Sequence, residues 1–474
     1  MKLILILFLC LSVLVANART RLFTPAKSFK KNQHYVSTSF FHWFSTNGGQ
    51  TKGPWLPYEG RKNWTGETEW WKSQIIQVMR AGIDVLYVHL ISQMEEQRVN
   101  FFRALFELRK EGYDVPKIAP FLDPIVTWGK TNKFNLAERA NKERIVSQYI
   151  RFFEQYFSVN TDKYADNYIA RVDDKIVLNI WHIWLNFSNV SNFYKADIEK
   201  PFAKAFGKKH PVFTNGIYFI GTLLGNSFPF ADENLVQFHS QKYFHITDYN
   251  GIKTAELKPG YWDQNHRIPG AILKRDGGLH YINAWKKVLN SNAERVYIES
   301  WNEYTEGSGI YAANPTNIYR TCGNTNTDLW SVCNDPFEYI KTTYKYASIF
   351  KNLKKSNSEI LSYDFPRKVL TGATNKYNVI IRNTGYGIWR KSIRLKLLLK
   401  NGEKVISKIF PIKTNAKNIY NGIFKGMPVK FNDVFIAPAK KGEYDVLFGL
   451  TDKGNDFFGE VITNHIYIIS KNEN

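Results

Sequence analysis

Cysteine is almost absent from this chain: there are three in 474 residues, and Cys10 lies in the apolar first stretch. That leaves Cys322 and Cys333, with no third or fourth ligand nearby for a metal. Beyond the first residues no hydrophobic run reaches the length of a membrane span. No basic block exceeds a few residues and no nucleic-acid-binding motif is present, which argues against a nucleic-acid partner. A G-x-G-x-x-G or Walker-type run is missing, so the phosphate loop usual in a doubly wound sheet has no counterpart. There is no H-E-x-x-H, and carboxylates are sparse at most strand ends. No metal and no cofactor are expected.

The N-terminus reads as a leader. Lys2 is a short charged region, Leu3 to Val15 is apolar apart from Ser12, and Ala16-Asn17-Ala18 has the small-x-small form of a cleavage site. Residues 1–18 are therefore expected to be a signal peptide, without a stable membrane anchor, and the mature protein secreted or in the secretory lumen. Cys322 and Cys333 bracket a polar loop that a disulfide would staple in an oxidising compartment. Asn63, Asn186 and Asn189 open Asn-x-Ser/Thr sequons and are candidate glycosylation sites.

The formal net charge is +22. Such a surplus favours acidic glycans, an anionic wall or nucleic acid, although the lysines are scattered and a Lys- and Asn-rich proteome explains it equally well. Aromatic residues make up 16%, and flat aromatic faces are what a sugar-binding cleft stacks on pyranose rings. The expected partner is a glycan, with an anionic one in view.

From residue 33 to 355 short β-branched runs alternate with helical periodicities, the pattern of a (β/α)₈ TIM barrel within the α/β class. Strands are expected at His34–Phe44, Asp84–Ile91, Lys117–Leu122, Ile176–Ile183, Val212–Asn215, Leu235–His239, Thr254–Leu257 and Arg295–Ser300. Helical periodicity disappears after Asn357. Strands then recur between turn residues such as Asn401-Gly402 and Lys453-Gly454. Residues 358–470 are expected to form an immunoglobulin-like antiparallel β-sandwich.

A barrel places its site at the C-terminal ends of its strands. Polar and aromatic residues recur there: His42 and Trp43, Asp123, Trp181 and His182, Asn215 and Tyr218, His239, then Tyr261 and Trp262 with Asp263. These are the candidate substrate contacts, together with Trp301, Asn302 and Tyr304. The last strand runs into Ser300-Trp301-Asn302-Glu303-Tyr304-Thr305-Glu306-Gly307. Glycoside hydrolysis commonly needs two carboxyl groups whose surroundings separate their pKa values. Glu303 and Glu306 are the candidate catalytic pair, since three residues of extended chain span at most roughly 10 Å. Glu299 is held in reserve, as a residue that could face a helix-side salt bridge.

The stretch Trp301 to Gly307 resembles the N-E-W-x-E-G signature of glycoside hydrolase family 99. Ala81-Gly82-Ile83-Asp84-Val85, and Pro259-Gly260-Tyr261 with Arg275, resemble two of its other segments. Nearest in layout are uncharacterised secreted members with a C-terminal sandwich. The resemblance implies an endo-acting, retaining hydrolase of α-linked glycans. In that family's scheme Glu303 is the base toward the substrate 2-hydroxyl and Glu306 the general acid, then base. Tyr304 stands where the family usually has Trp, and Ser308-Gly309-Ile310-Tyr311 departs from its usual polar continuation. Two further classes remain open: a non-catalytic glycan-binding or matrix protein that keeps the cleft, and a transglycosylase.

Overall fold

The computed structural model describes residues 19–20, 28–48, 51, 53–91, 94–128, 133–181, 183–223, 228–236, 242–264, 267–314, 335–412, 422–453 and 456–470. The leader, His182, His239, Cys322 and Cys333 lie outside them. Two compact units are present: residues 25–109 with 115–352, and residues 353–474 with 110–114 and the N-terminal stretch.

The larger unit alternates strands and helices. Its strands are β1 (Tyr35–Phe40), β2 (Val85–Leu90), β3 (Lys117–Leu122), β4 (Lys175–Ile180), β5 (Ile217–Leu223), β6 (Glu233–Val236), β7 (Phe244–Tyr249), β8 (Ile252–Leu257), β9 (Tyr261–Trp262), β10 (Ile272–Leu273) and β11 (Arg295–Ile298). The main sheet runs β6-β5-β4-β3-β2-β1-β11-β8-β7. Every neighbouring pair in it is parallel except β7 with β8. Eight parallel strands thus form a nearly closed barrel, with one antiparallel hairpin strand inserted. The helices α1 (Thr68–Ala81), α2 (Glu95–Lys110), α3 (Arg139–Val159), α4 (Lys195–Phe206), α5 (Leu279–Leu289) and α6 (Glu338–Phe350) return the chain between strands. Helix α1 ends at Gly82 with φ +74°, where the left-handed cap suits glycine.

Alternate residues of the strands meet in one core: Tyr35, Tyr87, Ala119, Phe121, Val177, Tyr218, Ile220, Leu235, Ile252 and Tyr297. At the strands' N-terminal ends this core turns polar. Buried Glu233 on β6 accepts from Tyr218 on β5 (3.0 Å) and from Thr254 on β8 (2.5 Å). Its Oε2 lies 3.4 Å from Nε of Arg295 on β11, whose guanidinium lies over the Tyr35 ring of β1. Four strands on both sides of the seam are tied by this one carboxylate, so it acts as the barrel's lower closure.

Two expectations change here. The predicted fifth strand over 212–215 is a short 3-10 turn, Pro211–Thr214, and the strand begins two residues later. Pro211 favours the turn, and the strongly apolar run Ile217-Tyr218-Phe219-Ile220 forms the strand. Hairpin strand β7 was not foreseen, because its alternation of Phe244, Ile246 and Asp248 is broken by polar neighbours.

The smaller unit contains β12 (Ser358–Asp364), β13 (Lys368–Leu370), β14 (Thr374–Asn383), β15 (Ile393–Asn401), β16 (Lys404–Pro411), β17 (Pro428–Ile436), β18 (Gly442–Asp452) and β19 (Phe457–Ile469). One sheet includes β12, β14 and β17, and the other runs β13-β19-β18-β15-β16. Rings from the two sheets interlock: Tyr363 on β12 with Phe448 on β18 (5.1 Å), and Tyr377 on β14 with Phe410 on β16 (5.2 Å). The result is a β-sandwich. It is not purely antiparallel, since β13 pairs parallel with β19.

Candidate active site

The barrel's last strand leaves β11 through Glu299 and enters a compact loop. Trp301 N still donates to Ser39 O (2.9 Å), which continues the pairing with β1. The chain then doubles back: Ser300 N donates to Ser308 O (3.2 Å), and Tyr311 N to Trp301 O (3.1 Å). Gly307 lies at φ +56°, and a Cβ there would sit 2.9 Å from Pro54 Cγ. Buried Arg275 donates to the carbonyls of Gly307 (3.0 Å) and Gly309 (2.8 Å), with its guanidinium 4.8 Å from the Trp55 ring centroid and 4.4 Å from that of Tyr339. Backbone bonds and one buried arginine therefore hold this loop.

The two carboxyl groups emerge from it differently. Glu303 accepts from the Thr305 hydroxyl (2.7 Å), and its own N–H donates to Ser300 Oγ (2.8 Å). Burial raises its pKa well above the usual carboxylate range, and the charges of Glu306 and Glu299 add to the rise. The Thr305 hydrogen bond and the Arg267 charge oppose it. Glu306 accepts from Arg267 Nη2 (2.9 Å), while Trp262 N donates to the Glu306 carbonyl (2.7 Å). One acid thus favours keeping its proton and its neighbour is held as an ion pair.

Around the pair stand β9, β10 and the end of β8. Arg267 Nη1 donates to Asp263 Oδ2 (2.5 Å) and to the Tyr261 hydroxyl (2.7 Å). Asp263 in turn accepts from Ala271 N (2.6 Å). Glu299 pairs with Lys258, at 3.1 Å, and the lysine is 1% exposed. It faces a barrel strand rather than a helix, because odd-numbered residues of β11 point inward.

The other candidates divide into three groups. An aromatic floor runs across the ends of β1 to β4: Phe41 and Trp43, His89, Phe121 and Trp181 contact one another ring to ring at 4.1–6.2 Å. Trp43 and Trp181 belong to it as expected positions, and His89 and Phe121 join them. Tyr261 and Trp262 adjoin the carboxylates.

A second group holds the site together from behind. Asn302 clamps the Phe41 backbone, accepting from its N–H (2.9 Å) and donating to its carbonyl (2.8 Å). Trp301 is fully buried, and Tyr304 packs on Trp64 and Tyr311. His42 is 0% exposed, and burial lowers its pKa well below the usual histidine value. Asp123 accepts from the N–H groups of Ile125 and Val126 and starts the short helix Pro124–Trp128.

The third group is remote. Asn215 is exposed and precedes β5, at the opposite end of the barrel from the loop, and Tyr218 belongs to the lower closure. Of the sequon residues, Asn63 and Asn189 are exposed, whereas Asn186 is 3% exposed and too enclosed to carry a glycan in this fold. Among the described residues no group of His, Cys, Asp and Glu is placed to hold a metal ion. Arg267 and Lys258 were not singled out in the sequence. Their nearest signal is the Asp263-x-x-x-Arg267 spacing, which outside a helix carries little weight.

No family profile and no curated protein matches the chain. Among solved structures it is similar to the GH99 endo-alpha-mannosidase from Bacteroides thetaiotaomicron, at 14% identity over 69% of this chain and 99% of that one. The TM-score is 0.48 for the complex with Bis-Tris-Propane and 0.47 for a second structure. It is also similar to the CARDB domain of PF1109 from Pyrococcus furiosus, at 12% identity over 24% of this chain and 94% of that one, with a TM-score of 0.18.

Proposed function

We propose that this protein is a secreted glycoside hydrolase, endo-acting and retaining on an α-linked glycan, with Glu303 and Glu306 as its reacting acids. The observation that carries the reading is the electrostatic inequality of two carboxyl groups on one strand-end loop. A pair that shares one proton can donate to a leaving oxygen with one member and use the other as an anion. A binding surface gains nothing from crowding two part-buried acids onto one loop, and loses stability by it. Retention rests on the likeness to the family signature, and retaining pairs stand about 5 Å apart, a separation that three residues of chain can span. The α-linkage rests on the likeness of Trp301–Gly307 to the family signature, and the secretory route on the leader-like Leu3–Val15.

The protonation pattern favours the reverse of the roles implied by that likeness. Glu303, part-buried and without the ion pair that Glu306 makes, keeps the proton and acts as general acid. Glu306, held by Arg267, is the anion that attacks or activates. A glycan panel of mannans and glucans decides the function: oligosaccharides released with retained anomeric configuration support it, and tight binding without release points to a glycan-binding protein. Glycosyl fluorides, which leave without protonation, decide the roles. Glu303→Gln should still cleave them while Glu306→Gln should not, and the opposite result restores the order implied by the family.

A further inference from the structure

Asp263 is 2% exposed by its side chain, whereas the arginine it holds is 49% exposed and reaches a reacting carboxylate. Asp263 has both oxygens engaged: Oδ1 accepts from Ala271 N across the β9–β10 hairpin, and Oδ2 accepts from Arg267. The hairpin is docked on the Glu306 segment a second time through Trp262 N. A Cβ at Gly260, just before it, would lie 2.5 Å from Arg275 Cγ, so the hairpin's entry is closely packed as well. A guanidinium is a planar fork, and one fixed along one edge by a buried carboxylate has little freedom along the other.

We propose that Arg267 is a positioning residue for the reacting pair: anchored by Asp263, it holds the Glu306 carboxylate in place and sets a fixed positive charge beside both acids. The inference rests on the hydrolase reading for its kinetic consequences, but the charge arrangement stands independently. The groups facing Glu303 are Glu306 and Thr305 on its own loop, Glu299 and Tyr297 from β11, and Arg267 from the hairpin. Those facing Glu306 are Arg267, Tyr261 and Glu303. Among these, Arg267 is the cation that opposes the proton on Glu303. Lys258 is engaged with Glu299, and Arg275 with the carbonyls of Gly307 and Gly309.

The test compares wild type with Arg267→Ala and Arg267→Lys, each labelled at the glutamate carboxyl carbons and titrated by NMR, with the Glu303 signal assigned through Glu303→Gln. In Arg267→Ala the Glu303 signal should titrate at higher pH than in wild type, and in Arg267→Lys close to wild type. With a substrate from the glycan panel, Arg267→Ala should lose about 100-fold in kcat while KM stays within about threefold. Added guanidinium should recover part of that kcat. An unchanged Glu303 titration in Arg267→Ala overturns the proposal. So does a loss confined to KM, which would make Arg267 a substrate contact. If Arg267→Ala does not fold, Arg267→Lys decides: a reduced kcat supports the fork, and a wild-type kcat refutes it. If the wild type cleaves no glycan, the hydrolase reading fails, and the titration alone still decides the role of Arg267.

Discussion

Replacing Glu303 by glutamine should stabilise the protein, and by an amount that depends on pH in a defined direction. Burial, then the Glu306 and Glu299 charges, raise the Glu303 pKa above its unfolded value. The folded chain therefore holds a proton that the unfolded chain releases. Linkage fixes the sign: the carboxyl costs nothing below the unfolded pKa, and stability falls as pH rises toward the folded pKa. Over that window the loss accrues at about 1.4 kcal/mol per pH unit. Glutamine is isosteric and neutral, and its carbonyl can still accept from the Thr305 hydroxyl at the 2.7 Å seen for the glutamate. It removes the cost without opening a cavity. Glu303→Gln and wild type should thus match near pH 4 and diverge above it, with a gain of about 2–4 °C in Tm for each kcal/mol. Urea unfolding followed by tryptophan emission at three pH values measures this, since Trp389 alone among the tryptophans lies in the smaller unit. Glu306→Gln is the comparison: it removes one of the charges that raise Glu303 but also one partner of Arg267, so its gain should be smaller than that of Glu303→Gln. A Glu303→Gln effect that is flat with pH, or a net loss at pH 7, would refute the electrostatic account.

Two further outcomes follow from the same structure. Burial pushes the Glu59 pKa up to about 6, against hydrogen bonds from Gln77 and Ser73. Glu59→Gln should then gain about 2 kcal/mol at pH 7, vanishing toward pH 4.5, as unfolding curves at the two pH values will show. Asn302→Ala leaves the Phe41 N–H and carbonyl buried without their clamp. A loss of about 2–4 kcal/mol is expected, measured by urea unfolding, and a loss under about 1 kcal/mol would show that the clamp is replaceable.

The barrel was legible where one physical signal dominated. Lys117–Leu122 has the observed bounds, since a short apolar run closed by Asp123-Pro124 is hard to mistake. The Glu303 and Glu306 pair was legible for the opposite reason, as carboxylates where a strand end should be apolar. What failed was direction. His42 and Asn302 are polar residues at strand ends, as a cleft would require, yet each points back into the fold. Periodicity assigns a residue to a level of the barrel but does not separate a ligand contact from a hydrogen bond that closes a loop. Tyr218 shows the same limit along the axis: a five-residue error in the start of β5 moved a closure residue to the rim. Arg267 was invisible because its role depends on a hairpin bringing residues 263, 267 and 306 together.

The charge of the whole chain and the charge of the site point in different directions. A surplus of +22 suggests attraction to acidic partners. The groups that bear on the reacting pair tell otherwise. Lys258 is cancelled by Glu299, and Arg267 is shared between Asp263 and Glu306. With the proton on Glu303, and with buried Arg275 bonded to the Gly307 and Gly309 carbonyls, this leaves three anions against three cations, a site close to neutral. Lys258 and Arg267 are each bonded to a carboxylate within 3.1 Å and Arg275 to two backbone carbonyls, so each of the three is already engaged and a sulfate or uronate would have to displace a bonded group. On the hydrolase reading proposed above, a part-buried site of this balance suits a neutral sugar, whose hydroxyls accept and donate without adding charge. The lysines scattered over the chain act at longer range, where salt screens them within about 10 Å. Net charge therefore bears on what the protein approaches, and the paired charges around Glu303 and Glu306 bear on what the site can hold.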